Sequence, residues 1–293
     1  MITLTRPDGA EAEDFHLTRR GLAGAFFAGY AASALAAEAE PIHTDDAGLV
    51  TATVRYPSDG FDLPAYLARP KASGRFPAVI VASEIFGVHA YIRDICRRLA
   101  KLGYVAIAPA FFVRVADPAP LSDIAAVIKI VSQASDSQVM GDVGATIGFL
   151  EHAAFVDARR LAITGFCWGG GVVWLACEQF PQLKSGVAWY GRMAPTPGST
   201  PSPGRMWPIE RVDHLTAPVL GLYGARDGLA AQIPAMRAAM AATHKTGSEI
   251  IVYPNAGHGF HADYRSNYVA ADAVDGWARM LAHFRRDGVG PRS

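Results

Sequence analysis

A cysteine at position 167 sits inside Gly165-Phe166-Cys167-Trp168-Gly169-Gly170-Gly171, a composition that can present a nucleophile. Residues 161–164 ahead of it form a short apolar run, and 172–180 behind it are apolar over a helical length. A strand, a tight glycine-flanked turn and a helix make the sharp turn whose apex carries serine in G-x-S-x-G sequences. The glycines remove side chains that would collide with the turn, and the apex residue is strained. A thiol at a helix N-terminus also feels roughly half a positive charge, which favours thiolate. Two other readings stand beside this one: a buried structural cysteine and a phosphate cradle. The second lacks both the Lys-Ser/Thr of a nucleotide loop and the spacing of a dinucleotide fingerprint.

Three more polar residues follow apolar runs in the same way. Glu84 comes directly after 77–83, Asp227 after 219–223 in Gly224-Ala-Arg-Asp-Gly228, and His258 after 250–253 in Asn255-Ala-Gly-His-Gly259. A lone Asp there is an ordinary turn former and a lone His an ordinary loop residue. Nucleophile, acid and histidine in this chain order match the α/β-hydrolase arrangement, in which an acid orients the base and the base takes the nucleophile's proton.

The elements needed to bring them together are legible. Strands are predicted over 49–56, 63–69, 77–83, 104–109, 160–164, 185–190, 218–223 and 249–253, the first two joined by the turn cluster Pro57-Ser-Asp-Gly60. Helices are predicted over 91–102, ended by Gly103, and over 142–153, 172–180, 230–243 and 268–284. Strands alternating with helices imply an α/β fold: about eight strands, mostly parallel, with helices on both faces. Residues just past the C-terminal ends of such strands converge on one crevice. The longest irregular stretch, 191–218, is dense in proline, glycine and serine, and follows a strand that ends near the site.

Composition narrows the function. The chain has 293 residues, with 27 acidic and 27 basic side chains and no basic run. That balance argues against a nucleic-acid partner or an anionic membrane surface. Three cysteines, Cys96, Cys167 and Cys177, are too few for a disulfide scaffold, and no Cys/His cluster suggests a metal. Cys96 and Cys177 lie on predicted helices and read as small buried hydrophobes. Residues 49–288 are expected to form a single domain, with 37–48 a linker and 289–293 a tail.

The first 36 residues stand apart. Thr18-Arg19-Arg20-Gly21-Leu22 precedes an uncharged stretch rich in alanine and glycine, and Ala34-Leu35-Ala36 offers a small-x-small cleavage site. The pattern resembles a twin-arginine export signal and implies a periplasmic protein with no stable membrane insertion after export. Asp8, Glu11, Glu13 and Asp14 ahead of the arginines depart from that pattern. A retained N-terminal helix on a cytoplasmic protein is the alternative.

Taken together, Glu84-Ile-Phe-Gly87, Gly165-Phe-Cys-Trp-Gly-Gly170, Gly224-Ala-Arg-Asp227 and Ala256-Gly-His-Gly-Phe260 resemble the dienelactone hydrolases, or carboxymethylenebutenolidases, over about 49–284. The resemblance implies Cys167 as nucleophile, His258 as base, Asp227 as the residue orienting it, and Glu84 as the partner of the resting thiol. It also implies an oxyanion hole from the backbone N–H groups of Ile85 and Trp168, no cofactor and no metal. The family holds its substrate carboxylate with two arginines. Arg114 matches the first; the second position is Ala262 here, with Arg265 three residues further on. Tyr190, Arg192, His89 and His261 are candidates to line the pocket, with packing or solvated roles as the alternative.

The expected activity is hydrolysis of small lactones or carboxylic esters through a thioester acyl-enzyme, by a monomer. A broad short-chain esterase without a carboxylate anchor, a binding protein on the same fold and a thiol redox sensor are the other readings. The last is weakened by the lack of a resolving cysteine beside Cys167.

Overall fold

The computed structural model describes residues 41–196, 204–243 and 247–291. The segment 1–36, which resembles a twin-arginine signal, lies outside these residues.

Strands are β1 (Leu49–Ser58), β2 (Phe61–Pro70), β3 (Phe76–Ala82), β4 (Val105–Pro109), β5 (Val156–Phe166), β6 (Leu183–Trp189), β7 (Val219–Gly224) and β8 (Glu249–Tyr253). The helices are α1 (Ala90–Lys101), α2 (Ile124–Val131), α3 (Asp136–His152), α4 (Trp168–Gln179), α5 (Ile233–Ala242) and α6 (Ala270–Arg286). The strands form one sheet in the order β1-β2-β4-β3-β5-β6-β7-β8. β1 and β2 form an antiparallel hairpin and β2 runs antiparallel to β4, while every pair from β4 to β8 is parallel. Asp59 and Gly60, both at positive φ, close the hairpin, as a two-residue turn between right-twisted strands requires.

Burial follows the sequence pattern. β3, β4 and β7 are nearly or wholly buried along their length, because helices cover both faces of the central sheet. On α1, Ile92, Ile95, Cys96 and Leu99 fall on one face and are buried, while Gly103 at φ 90 ends the run. Cys96 and Cys177 are fully buried, and burial pushes both thiols above their ordinary range.

Three stretches differ from the sequence reading. Helix α2 was not expected; Asp123 caps it by accepting from Ala125 N at 2.8 Å. The helix predicted from 142 begins six residues earlier, where the Ser135 hydroxyl accepts from Gln138 N. The helix predicted over 230–243 is a 3₁₀ turn, Gly228–Gln232, followed by α5. Among the described residues of 191–218, 3₁₀ turns form at Pro208–Glu210 and Val212–His214, and Ile209 N donates to Met193 O at 3.0 Å.

Candidate active site

The chain reverses at Cys167 between β5 and α4, with the cysteine at φ 58 and ψ −117. That left-handed conformation is rare outside glycine and marks strain held by the surroundings. The glycines around it are close approaches: a Cβ on Gly165 would run into the Gly169 carbonyl, and one on Gly169 into the Ala82 carbonyl. The first turn of α4 therefore lies against the end of β3, beside Glu84 and Ile85. Cys167 N donates to Trp189 O at 3.0 Å, which ties the elbow to the end of β6. Trp168 begins α4, where backbone N–H groups have no acceptor within their own helix.

His258 and Asp227 arrive from the next two strands. Asp227 Oδ1 accepts from Leu229 N at 3.0 Å, and its Oδ2 accepts from His258 Nδ1 at 2.8 Å. The Asn267 amide donates to the His258 carbonyl and fixes the loop from behind. Burial alone lowers the His258 pKa. The charges of Asp227 and Cys167, both hydrogen-bonded to the ring, override burial and hold it at about 10. An imidazolium between a carboxylate and a sulfur is thus the favoured state, with the sulfur fully buried.

Glu84, just past the end of β3, is fully buried. Its carboxylate accepts from Tyr264 Oη at 2.6 Å, lies 3.3 Å from His89 Nε2, and faces Arg265 Nη2 at 3.4 Å. Burial pushes this carboxyl up; Arg265 above all, with His89 and Tyr264, overrides that and holds it at about 2. A carboxylate so stabilised is a poor acceptor for the thiol proton. The Arg265 guanidinium lies over Phe86 at 5.0 Å and over Tyr264 at 5.2 Å, and its Nε donates to Tyr264 Oη at 3.0 Å.

Arg114 is not brought to this cluster. Its Nη1 donates to Asp142 Oδ2 at 2.6 Å, its Nη2 to Ser58 O at 2.9 Å, and its guanidinium covers Phe61 at 4.7 Å. Asp142 is fully buried, so Arg114 neutralises a charge that the fold has placed inside. His261 sits in an aromatic box of Trp189, Phe166 and Trp277, with Tyr91 Oη 2.6 Å from its Nδ1. Burial lowers its pKa to about 3, so the ring is neutral. Tyr190 follows β6 and packs edge-on against His258, with centroids 5.1 Å apart. Arg192, two residues on, lines a cleft partly open to solvent with Trp168, Gly171, Arg205 and Trp207. The sequence reading missed Tyr264 and Asn267; neither follows a strand, and nothing in local spacing marks them.

Cys167, Asp227, His258 and Glu84 all lie past the C-terminal ends of parallel strands. The family model described as "Dienelactone hydrolase family" matches residues 63–287. The chain belongs to the dienelactone hydrolase family. It is similar to the "Putative carboxymethylenebutenolidase" of Salmonella typhimurium, at 46% identity over 264 residues, covering 89% of this chain and 96% of that protein. It is also similar to the "Probable 2-oxo-3-(5-oxofuran-2-ylidene)propanoate lactonase" of Bradyrhizobium, at 34% identity over 78% of this chain and 91% of that one. The crystal structure titled "Putative Dienelactone Hydrolase" from Klebsiella pneumoniae superposes with a TM-score of 0.76 at 45% identity, covering 81% of this chain and 99% of the other. As a dienelactone hydrolase family member, this protein has the α/β-hydrolase fold and is a lactone or ester hydrolase.

Proposed function

We propose that this enzyme hydrolyses small lactones or carboxylic esters that carry a free carboxylate, through a thioester on Cys167. The observation that carries the reading is the His258 ring, bonded to Asp227 on one side and coupled to Cys167 on the other. The sulfur attacks the ester carbonyl, and the N–H groups of Ile85 and Trp168 receive the developing oxyanion. On collapse the carbon–oxygen bond breaks and His258 gives its proton to the leaving oxygen. His258 then draws a proton from water, which attacks the thioester and frees the acid and the thiolate.

Arg265 supplies the carboxylate port. In the free enzyme its charge rests on Glu84, buried beside it. A substrate carboxylate competes for the same guanidinium, and Glu84 is the counter-charge that keeps the port neutral until then. Arg114, committed to Asp142, takes no part.

A panel of lactones and esters with and without a free carboxylate, assayed on wild type and Cys167→Ala, tests the reading. Hydrolysis confined to wild type and fastest for carboxylate-bearing compounds is expected. Equal rates for both groups of compounds would favour a broad esterase without an anchor.

A further inference from the structure

Tyr190 is held in a way that packing does not explain. Its backbone is at φ 40, and among the described residues only Asp59, in a hairpin turn, and Cys167 share positive φ without being glycine. The cause is visible on either side. Tyr190 N donates to Leu222 O at 2.8 Å, so the residue is still tied to the sheet. Gly191, the next residue, crosses the first turn of α4 so closely that a Cβ on it would run into the Gly170 backbone. The chain must bend sharply between these constraints, and the bend turns the Tyr190 ring against His258.

The phenol is fully buried, and its oxygen has no hydrogen-bond partner among the described residues. The neighbouring tyrosine hydroxyls are all satisfied: buried Tyr91 by His261, half-buried Tyr264 by Glu84, and buried Tyr223 by the Gly191 carbonyl at 2.8 Å. A buried hydroxyl without a partner is costly, and a phenylalanine would fill the same space without that cost. The charges that act on this hydroxyl are those of the site itself: Glu84, Arg265 and Cys167.

We propose that Tyr190 is a catalytic residue whose hydroxyl donates a hydrogen bond to the leaving oxygen of the substrate as the carbon–oxygen bond breaks. The inference rests on the cysteine hydrolase reading above. When the tetrahedral intermediate collapses, the carbonyl re-forms, the C–O bond pair passes to the leaving oxygen, and that oxygen takes the His258 proton. Tyr190 stabilises the charge on that oxygen during the transfer and keeps its own proton. Burial, and then the negative charge of Glu84, raise the Tyr190 pKa well above the ordinary phenol range, which suits a donor that does not ionise. The edge-on contact with His258 holds the two side chains side by side in the site.

The test is kcat/KM of wild type and Tyr190→Phe on succinic acid monoesters, which keep a free carboxylate, with leaving groups that run from p-nitrophenol to simple alcohols, and with melting temperatures of both proteins. Good leaving groups need little help, so the p-nitrophenyl ester should be nearly unaffected, while alkyl esters should lose about 100-fold, as for loss of one oxyanion donor. The melting temperature should stay level or rise, because the variant removes an unsatisfied hydroxyl. An equal loss across the series, no loss at all, or a lower melting temperature with uniform loss would overturn the proposal and leave the hydrolase reading standing. Wild-type protein inert toward every ester of the series would overturn both.

Discussion

Arg265 Nη2 lies 3.4 Å from Glu84 Oε1, in a site where both side chains are buried. Two opposite charges removed from water are each costly alone and tolerable together. The pair is therefore neutral as a unit, and in the proposed mechanism a substrate anion opens it by taking the arginine for itself.

Opening the plug by mutation should show in KM. Glu84→Gln frees Arg265 for substrate, so KM for carboxylate-bearing lactones should fall by about tenfold, the worth of one charge-assisted hydrogen bond. Values for neutral esters should stay level, and kcat should change little for either. A kcat that collapses instead would make Glu84 a base for the thiol. Arg265→Gln should abolish the carboxylate preference and destabilise the fold by roughly 3–5 kcal/mol, because Glu84 is left buried without the Arg265 charge.

Arg114 separates the same question from the other side. Its partner Asp142 is fully buried, and Asp142 Oδ1 also accepts from Ser58 Oγ at 2.6 Å. Arg114→Ala should cost roughly 3–5 kcal/mol in chemical denaturation, as for any broken buried pair. KM should move no further for carboxylate-bearing lactones than for neutral esters. A rise in KM confined to the carboxylate-bearing compounds would restore Arg114 as an anchor.

His258 carries a prediction in pH. Its pKa of about 10 in the fold stands above the ordinary 6.5, so as pH rises the unfolded chain loses this proton first. The stabilisation it contributes is complete below pH 6.5, declines as pH rises, and is gone above about 10. Glu84 acts with the opposite sign: at about 2 against an ordinary 4.5, its contribution is present above pH 4.5 and lost as pH falls toward 2. The stability difference between wild type and His258→Gln should therefore shrink between pH 6.5 and 10. A difference that is flat in pH would mean that the ring is neutral throughout.

The parts that sequence made legible are those set by short-range pattern. Unbroken apolar runs marked β3 and β7 because both faces of those strands are covered. Glycines at fixed offsets marked the elbow because backbone atoms fill the space where side chains would be. What was not legible depends on partners far along the chain. Arg114 has the residue type and position of an anchor, and only Asp142, 28 residues away, shows that its charge is committed. Arg265 stands three residues from the family position, and the buried Glu84 facing it is 181 residues back. Helix α2 is apolar at nearly every position, so it shows no helical period to read. The 191–218 stretch looked irregular, yet Gln232 Oε1 accepts from both Met193 N and Ala194 N and anchors its start.

The central claim is that Cys167 carries the acyl group, and trapping that group tests it most directly. Enzyme quenched in acid during turnover of a slow ester, then digested and analysed by mass spectrometry, should show the acyl mass on the peptide containing Cys167. Hydroxylamine should remove it, and Cys167→Ala should show neither adduct nor turnover. An acyl group on any other residue, or hydrolysis by Cys167→Ala at the wild-type rate, would contradict the mechanism.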